Sequence, residues 1–239
     1  MHVLLDALKI AAAKIGDIVP VFVNINGPFS WAANLRGIYD FVADMKRNPK
    51  FAHDLLEIVT EAAIEYLKAS IDLKLGPVLL ADATATEYLL SPKQIDEYVL
   101  WSYRKVQEAV GQENFLPFIF GLETQEKIIK EGIGLPLFGV SNYAYTEGSG
   151  AEPLSQFKDL LLRQKAKANE LGLLNFVAIW GQWVQVHSPR EIDEEVKKVI
   201  EIAGPEWPFV VGLYHIPLGT PIENVDAFIN ALKTYGKLK

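Results

Sequence analysis

Asp82 and His215 are the two side chains of this sequence best suited to acid–base chemistry. Asp82 directly follows the apolar segment Val78–Ala81, where a carboxylate can act as a base, accept a hydrogen bond from a ring N–H or anchor a ligand. His215 can serve as a general acid or base, because histidine is the residue type whose unperturbed pKa lies nearest to neutrality. Each has a structural alternative, because aspartates often accept backbone N–H groups in loops and a single histidine beside a proline-rich turn is usually structural. The sequence leaves both roles open for both residues.

Zinc binding is a second chemistry to consider for histidine and carboxylate side chains. The sequence contains no cysteine, which excludes thiolate nucleophiles and every cysteine-containing zinc site. A site without cysteine would need His215, Asp82 and Glu123, yet carboxylate-rich zinc sites usually include more than one histidine. We therefore predict no metal site.

A further group of polar and aromatic residues follows the apolar, strand-like segments of the chain. Amides, an acid and aromatic rings suit a flat organic ligand better than a phosphate-rich one, because rings stack and amides bond to the ligand's edges. Turn formation explains the asparagines equally well, and packing alone explains the tryptophan. The candidate ligand-binding residues are Asn24, Asn26, Glu123, Asn142, Trp180, Gln182 and Tyr214.

Six short segments rich in Val, Ile, Leu and Phe alternate with longer segments in which apolar residues recur every three or four positions. This alternation is typical of βα units in which helices cover a parallel sheet. Cap-and-proline helix starts are predicted at Ser91-Pro92, Ser188-Pro189 and Thr220-Pro221. Without a linker or composition break, we predict an α/β fold with one domain over residues 1–239, either an open sheet or a barrel. The predicted strands are Pro20–Ile25, Pro77–Ala81, Phe115–Phe120, Leu135–Val140, Asn175–Trp180 and Pro208–Leu213.

Charge and hydropathy argue against two classes of partner. The formal net charge is −7 and lysines and arginines form no cluster, which argues against nucleic-acid binding. The longest apolar segments are strand-length, far below the roughly 20 residues that a membrane-spanning helix needs. Residues 1–15 form an amphipathic pattern without the apolar core of a secretory signal, and we predict a cytoplasmic protein.

Several stretches of the chain resemble the uroporphyrinogen decarboxylase superfamily, which includes the methylcobamide:coenzyme M methyltransferases and related corrinoid methyltransferases. The signature His215–Asn224 (HIPLGTPIEN) is the most specific of them. The resemblance implies a (β/α)8 TIM-barrel fold and methyl transfer with a corrinoid cofactor, cobalamin, carried by this chain or by a partner protein. The other matching stretches are Val21–Phe29 (VFVNINGPF), Leu35–Gly37 with Asp44 and Asn48-Pro49, Ala81–Pro92 (ADATATEYLLSP) and Tyr235-Gly236.

Two departures from the family pattern bear on the reaction. Family members carry a longer segment before the first matching strand, so we expect a barrel shortened at its N-terminus. The His-x-Cys-Gly pattern that binds zinc in the methyltransferase branch corresponds to Phe118–Gly121 (FIFG), and the third zinc ligand corresponds to Tyr214 or its neighbour. Zinc in that branch activates a substrate thiol, so its loss argues against thiol methylation by that route.

The resemblance and its departures together predict a corrinoid-linked methyltransferase-like enzyme without the family zinc site, acting on a small organic substrate. A non-catalytic ligand-binding or subunit protein of the same fold stays open as the alternative. Uroporphyrinogen decarboxylation is disfavoured, because its carboxylate-rich substrate needs a basic pocket and none of the five arginines follows a predicted strand. A shortened barrel would leave a sheet edge unpaired, which predicts a homodimer or a hetero-oligomer, and we expect a corrinoid protein among the partners.

Overall fold

A computed structural model describes residues 2–18, 21, 23–119, 121–136, 152–204 and 209–236. The chain divides into two compact units, residues 1–137 and residues 138–239. Each unit contains a parallel sheet with helices packed against it, which confirms the predicted α/β class. One domain over residues 1–239 and closure of a TIM barrel both stay predictions.

The first unit contains a three-stranded parallel sheet in the order β1-β2-β3. Its strands are β1 Asn24–Asn26, β2 Val78–Asp82 and β3 Phe115–Ile119. Asn26 pairs with Ala81, and Ala81 pairs in turn with Phe118. Because β2 is the central strand, the loop that follows it lies between the turns that follow β1 and β3.

The two faces of this sheet differ in exposure. Side chains alternate between the faces along each strand, and the register places Leu80, Asp82 and Ile119 together on the face that is buried. The opposite face carries exposed and half-buried side chains together with the buried Phe118. We call it the open face, and its residues are Asn24, Asn26, Leu79, Ala81, Leu116 and Phe118.

Most helices of the first unit bury apolar side chains against this sheet and one another, whereas the helices His2–Ile15 and Pro92–Gln94 contain no buried residue. Fully buried Phe29, Phe41, Leu56 and Tyr103 lie in that core. The helices are α1 His2–Ile15, α2 Pro28–Arg36, α3 Ile38–Arg47, α4 Pro49–Ile71, α5 Pro92–Gln94, a π-helical segment Ile95–Leu100, α6 Trp101–Val110, a 3-10 turn Gln112–Asn114 and α7 Leu122–Lys130.

The second unit contains a two-stranded parallel sheet, in which Trp180 pairs with Tyr214 at the carboxyl ends of the strands. Buried Val177, Ile179 and Val196 contribute to its core. The elements are a 3-10 turn Leu154–Gln156, α8 Lys158–Leu171, β4 Asn175–Trp180, α9 Gly181–Val186, α10 Pro189–Ala203, β5 Phe209–Tyr214 and α11 Ile222–Tyr235.

Five of the six predicted strands are confirmed, with ends shifted by up to four residues. The sixth, Leu135–Val140, lies mostly outside the described residues, as do Pro20, Phe22, Phe120 and Pro208. Of that sixth segment, the Leu135 N–H donates to the Phe115 carbonyl oxygen at 2.9 Å. No helix in the described ranges combines the length and apolar character that crossing a membrane requires.

Two of the three predicted helix starts are confirmed and one is wrong. Ser91 and Ser188 each form a capping box, with Gln94 and Glu191 respectively. Thr220 caps no helix, because α11 begins at Ile222 and the Thr220 hydroxyl donates instead to the Pro217 carbonyl oxygen at 2.8 Å.

Candidate functional site

Asp82 ends β2 and is completely buried. Its Oδ1 accepts the Ser30 N–H at 2.5 Å and its Oδ2 accepts the Phe29 N–H at 3.2 Å. Both donors belong to the first turn of α2, where unpaired N–H groups and the helix dipole favour a negative charge. The carboxylate therefore caps a helix that is more than fifty positions away in the sequence.

Burial and hydrogen bonding act in opposite directions on Asp82. The pKa of Asp82 is raised from its ordinary 3.8 to about 6. Loss of solvent causes the rise, and the hydrogen bonds from Ser30 and Phe29 partly offset it. Tyr103 of α6 lies beside the carboxylate, and burial first, then the Asp82 charge, raises the pKa of Tyr103 well above its ordinary 10.0. Of the roles that the sequence left open, the acceptor of backbone N–H groups is present in the structure. A catalytic role stays a prediction.

Ser30 and Thr84 form further hydrogen bonds between the start of α2 and the loop after β2. The Thr84 N–H donates to the Ser30 hydroxyl oxygen at 3.0 Å, and the two hydroxyl groups are 2.9 Å apart. The first turn of α2 is thus held to the loop after β2 by four hydrogen bonds that involve Asp82, Ser30 and Thr84.

Glu87 makes a similar connection on the other side of β2, and the sequence analysis missed it. Its Oε1 accepts the Glu123 N–H at 3.2 Å, and its Oε2 accepts both the Thr124 N–H at 3.4 Å and the Thr124 hydroxyl at 3.1 Å. Glu87 thus caps α7. The sequence does contain one indication of it, because Gly121 precedes α7 and has no side chain that could cap the helix.

Of the ligand-binding candidates in the first unit, Asn24 and Asn26 are exposed on the open face. The Asp82 side chain lies on the other face of the same sheet. The half-buried Leu79, Ala81 and Leu116 and the buried Phe118 share that face. A face with two carboxamides and an apolar floor can bind a flat organic molecule. Glu123 is exposed at the start of α7, where its own N–H is bound to Glu87.

The candidates of the second unit form an aromatic group at the ends of β4 and β5. The Trp180 and Tyr214 rings meet edge to face with centroids 4.8 Å apart, and the Tyr214 and His215 rings are 4.3 Å apart. His215 is exposed and has a positive φ of 57°. Gly181 begins α9 directly against the His215 carbonyl oxygen and leaves no room for a Cβ. The predicted Trp180, Tyr214 and His215 are therefore neighbours within this unit.

The remaining candidates have different surroundings. Gln182 is exposed, whereas Trp183 is buried and stacks on His187 with ring centroids 4.1 Å apart. Asn142 lies outside the described residues. Among the residues that the structure describes, no group of three or more His, Asp or Glu side chains is arranged to hold a metal ion.

Comparisons with known proteins agree on one family. A model of the family described as uroporphyrinogen decarboxylase (URO-D) matches residues 1–235. The methylcobamide:CoM methyltransferase MtaA of Methanosarcina barkeri is 28% identical over 112 residues, which are 47% of this chain and 33% of that protein. The uroporphyrinogen decarboxylase of Anaeromyxobacter dehalogenans is 23% identical over 97% of this chain and 63% of its own length.

A solved structure, a methyltransferase from Methanosarcina mazei, has the same fold. It matches with a TM-score of 0.69 at 22% identity, over 99% of this chain and 65% of that chain. The chain thus spans between about a third and two thirds of the length of these relatives.

Proposed function

Because the chain belongs to the uroporphyrinogen decarboxylase family, we propose that it is a corrinoid-linked methyltransferase-like enzyme that acts on a small organic substrate without the family's thiol-activating zinc. Relatives named methylcobamide:CoM methyltransferases support the corrinoid part of this proposal. The observation that carries it is the open face, on which Asn24 and Asn26 stand beside apolar side chains at the edge of a parallel sheet.

The chemistry of the open face matches a corrinoid. The macrocycle is flat and its rim carries amide groups, so carboxamide side chains can exchange hydrogen bonds with the rim while Leu79 and Leu116 contact the ring. The cobalamin is bound either directly or as the group of a partner corrinoid protein. When bound, the corrinoid supplies the methyl group.

The residues at the family's zinc positions do not fit a metal ion. Phe118 of β3 is an apolar side chain, and the Tyr214 ring packs against Trp180. Neither offers the thiolate or imidazole that zinc prefers. The neighbouring His215 has an imidazole, but among the described residues it belongs to no group of three or more His, Asp or Glu side chains that could hold a metal ion. We therefore propose an acceptor that needs no thiol activation.

His215 is the proposed general acid or base. It is exposed beside the Tyr214 ring, so a substrate can reach its imidazole. Asp82 is the second residue proposed for catalysis, and its complete burial requires that it act on the substrate only after a local opening. Trp180, Gln182 and Tyr214 are the proposed ligand-binding residues of the second unit.

A non-catalytic ligand-binding or subunit protein is the second candidate function. The observation that favours it is that both Asp82 carboxylate oxygens are already occupied by backbone N–H groups. Decarboxylation of uroporphyrinogen has less support. Although the Anaeromyxobacter decarboxylase matches most of the chain, Arg36, Arg104 and Arg190 are all paired with acidic side chains on helices rather than gathered in a pocket.

A titration of the purified protein with methylcobalamin and hydroxocobalamin, followed by visible absorbance beside metal analysis, tests the proposal. We expect a spectral shift without zinc, and binding about fivefold weaker in Asn26→Ala, which loses one net hydrogen bond. Asn230→Ala, an exposed asparagine on α11, is the matched control and should bind like the wild type. No shift with either cobalamin, and no methyl transfer from methylcobalamin to any acceptor, would move the assignment to the binding protein.

A further inference from the structure

We propose that Asp82 and Glu87 are a pair of positioning residues that hold the β1–α2 and β3–α7 turns to the loop after β2, and so fix the edge of the sheet that presents Asn26 and Glu123. We call the two carboxylates the β2 bracket. Its effect on ligand affinity rests on the proposed function, whereas its effect on the two turns does not.

The first argument is that both helices lack a cap of their own. The residues that precede α2 and α7 are Gly27 and Gly121, and neither helix start has a capping side chain in its own sequence. The four unpaired N–H groups of a helix start need acceptors. Asp82 at the end of β2 and Glu87 in the loop after it supply those acceptors, each to the helix on its own side.

The second argument is the space that the two glycines leave. Gly27 has φ −67° and ψ 157°, and Gly121 has φ −86° and ψ 129°, which are ordinary extended conformations that any residue adopts. Backbone freedom therefore does not require glycine at either position. A Cβ on Gly27 would lie 2.6 Å from Asp82 Cγ, and a Cβ on Gly121 would lie 2.9 Å from Glu87 Cδ. The glycines are required because the space of a side chain is occupied by the Asp82 carboxylate at Gly27, and by the Glu87 carboxylate and the Thr86 backbone at Gly121.

The third argument is position. Only Gly27 and Pro28 separate Asn26 from the Phe29 N–H that Asp82 binds, and the Gly27 N–H is bound to the Ala81 carbonyl oxygen at 2.7 Å. On the other side, Glu87 binds the N–H of Glu123 itself. A shift of either carboxylate therefore moves a candidate ligand-binding residue.

The test replaces the long-range cap of α7 by a local one. Glu87→Ala removes the bracket on that side. Adding Gly121→Ser to it supplies a serine N-cap beside the space that the carboxylate vacates, where the Thr86 Cα, 3.0 Å from the new Cβ, is the nearest remaining atom. We expect Glu87→Ala to lower the unfolding temperature and to weaken cobalamin binding by roughly fivefold. The double variant should recover the unfolding temperature but not the affinity. Recovery of both would overturn the proposal, because the carboxylate would then be only a helix cap.

The matched control is Glu191→Ala, which removes the capping-box carboxylate of α10 in the second unit. It should lower the unfolding temperature and leave cobalamin affinity unchanged. Equal affinity losses in Glu191→Ala and Glu87→Ala would contradict a positioning role, since any lost cap would then act alike.

Amide hydrogen exchange separates this proposal from the proposed function. In Glu87→Ala we expect faster exchange at Thr124 and also at Phe29 and Ser30, whose N–H groups lie on the other side of β2 and donate to Asp82 rather than to Glu87. Unchanged exchange at Phe29 and Ser30 would refute the bracket. If the wild type binds no cobalamin, the proposed function fails while the exchange result still decides whether the bracket exists.

Discussion

Asp82 illustrates how burial and hydrogen bonding compete at one residue. Two backbone N–H groups favour the carboxylate, yet its complete burial dominates and raises the pKa to about 6. A group whose pKa is higher in the folded protein than in the unfolded chain binds protons more tightly when folded. Its contribution to stability is therefore full below its ordinary pKa and is lost as the pH rises through the folded pKa.

We accordingly predict that the wild type loses stability relative to Asp82→Asn as the pH rises from about 4 to about 6, because only the wild type must bury a charge at the higher pH. The free energy of unfolding of the wild type should fall by at most ~3 kcal/mol relative to that of Asp82→Asn over this range, because the pKa shift is about two units at ~1.4 kcal/mol each. Urea unfolding of both proteins at pH 4.5, 6 and 7.5 measures it. A difference that is constant over this range, or that grows in favour of the wild type as the pH rises, contradicts the raised pKa.

At the scale of the elements, helix starts in this chain are stabilised in two ways. Ser91 and Ser188 use capping boxes within their own helices. The start of α2 uses the carboxylate of Asp82 at the end of β2, and the start of α7 uses that of Glu87 in the following loop. The first kind can be predicted from neighbouring residues, whereas the second depends on which strands are adjacent in the sheet.

Ser188 and Thr220 form a matched pair for a prediction about caps. Ser188→Ala should lower the free energy of unfolding by about 1 kcal/mol, because it removes an N-cap. Thr220→Ala should have a smaller effect, because its hydroxyl bonds only within its loop. Chemical denaturation of the two variants measures both values, and a Thr220→Ala cost equal to or above that of Ser188→Ala would show that Thr220 caps α11 after all.

At the scale of the whole molecule, each unit has its own sheet and its own core. In the part of the chain that the structure describes, β1 pairs only with β2, and β5 pairs only with β4. Strand edges with unpaired N–H and C=O groups tend to associate. The predicted homodimer or hetero-oligomer rests on these edges.

We predict that the molecular mass measured by sedimentation equilibrium rises above that of one chain as concentration increases. Val210→Lys on β5 should weaken this association, because a charge on an edge strand opposes pairing. Ile229→Lys on α11 is the matched control, since both side chains are 40% exposed. A monomer mass at every concentration would refute self-association, and equal effects of the two lysines would exclude the β5 edge as the interface.

The sequence by itself determined the order of strands and helices, the two serine caps and the family, because these depend on short-range patterns and on local motifs such as HIPLGTPIEN. It also identified Asp82, Asn24 and Asn26 as residues near strand ends. Only the tertiary structure decided that Asp82 faces the helices while the asparagines face the opposite side. It alone revealed Glu87 and explained Gly27 and Gly121, because those roles depend on strand register and on contacts between residues far apart in the chain.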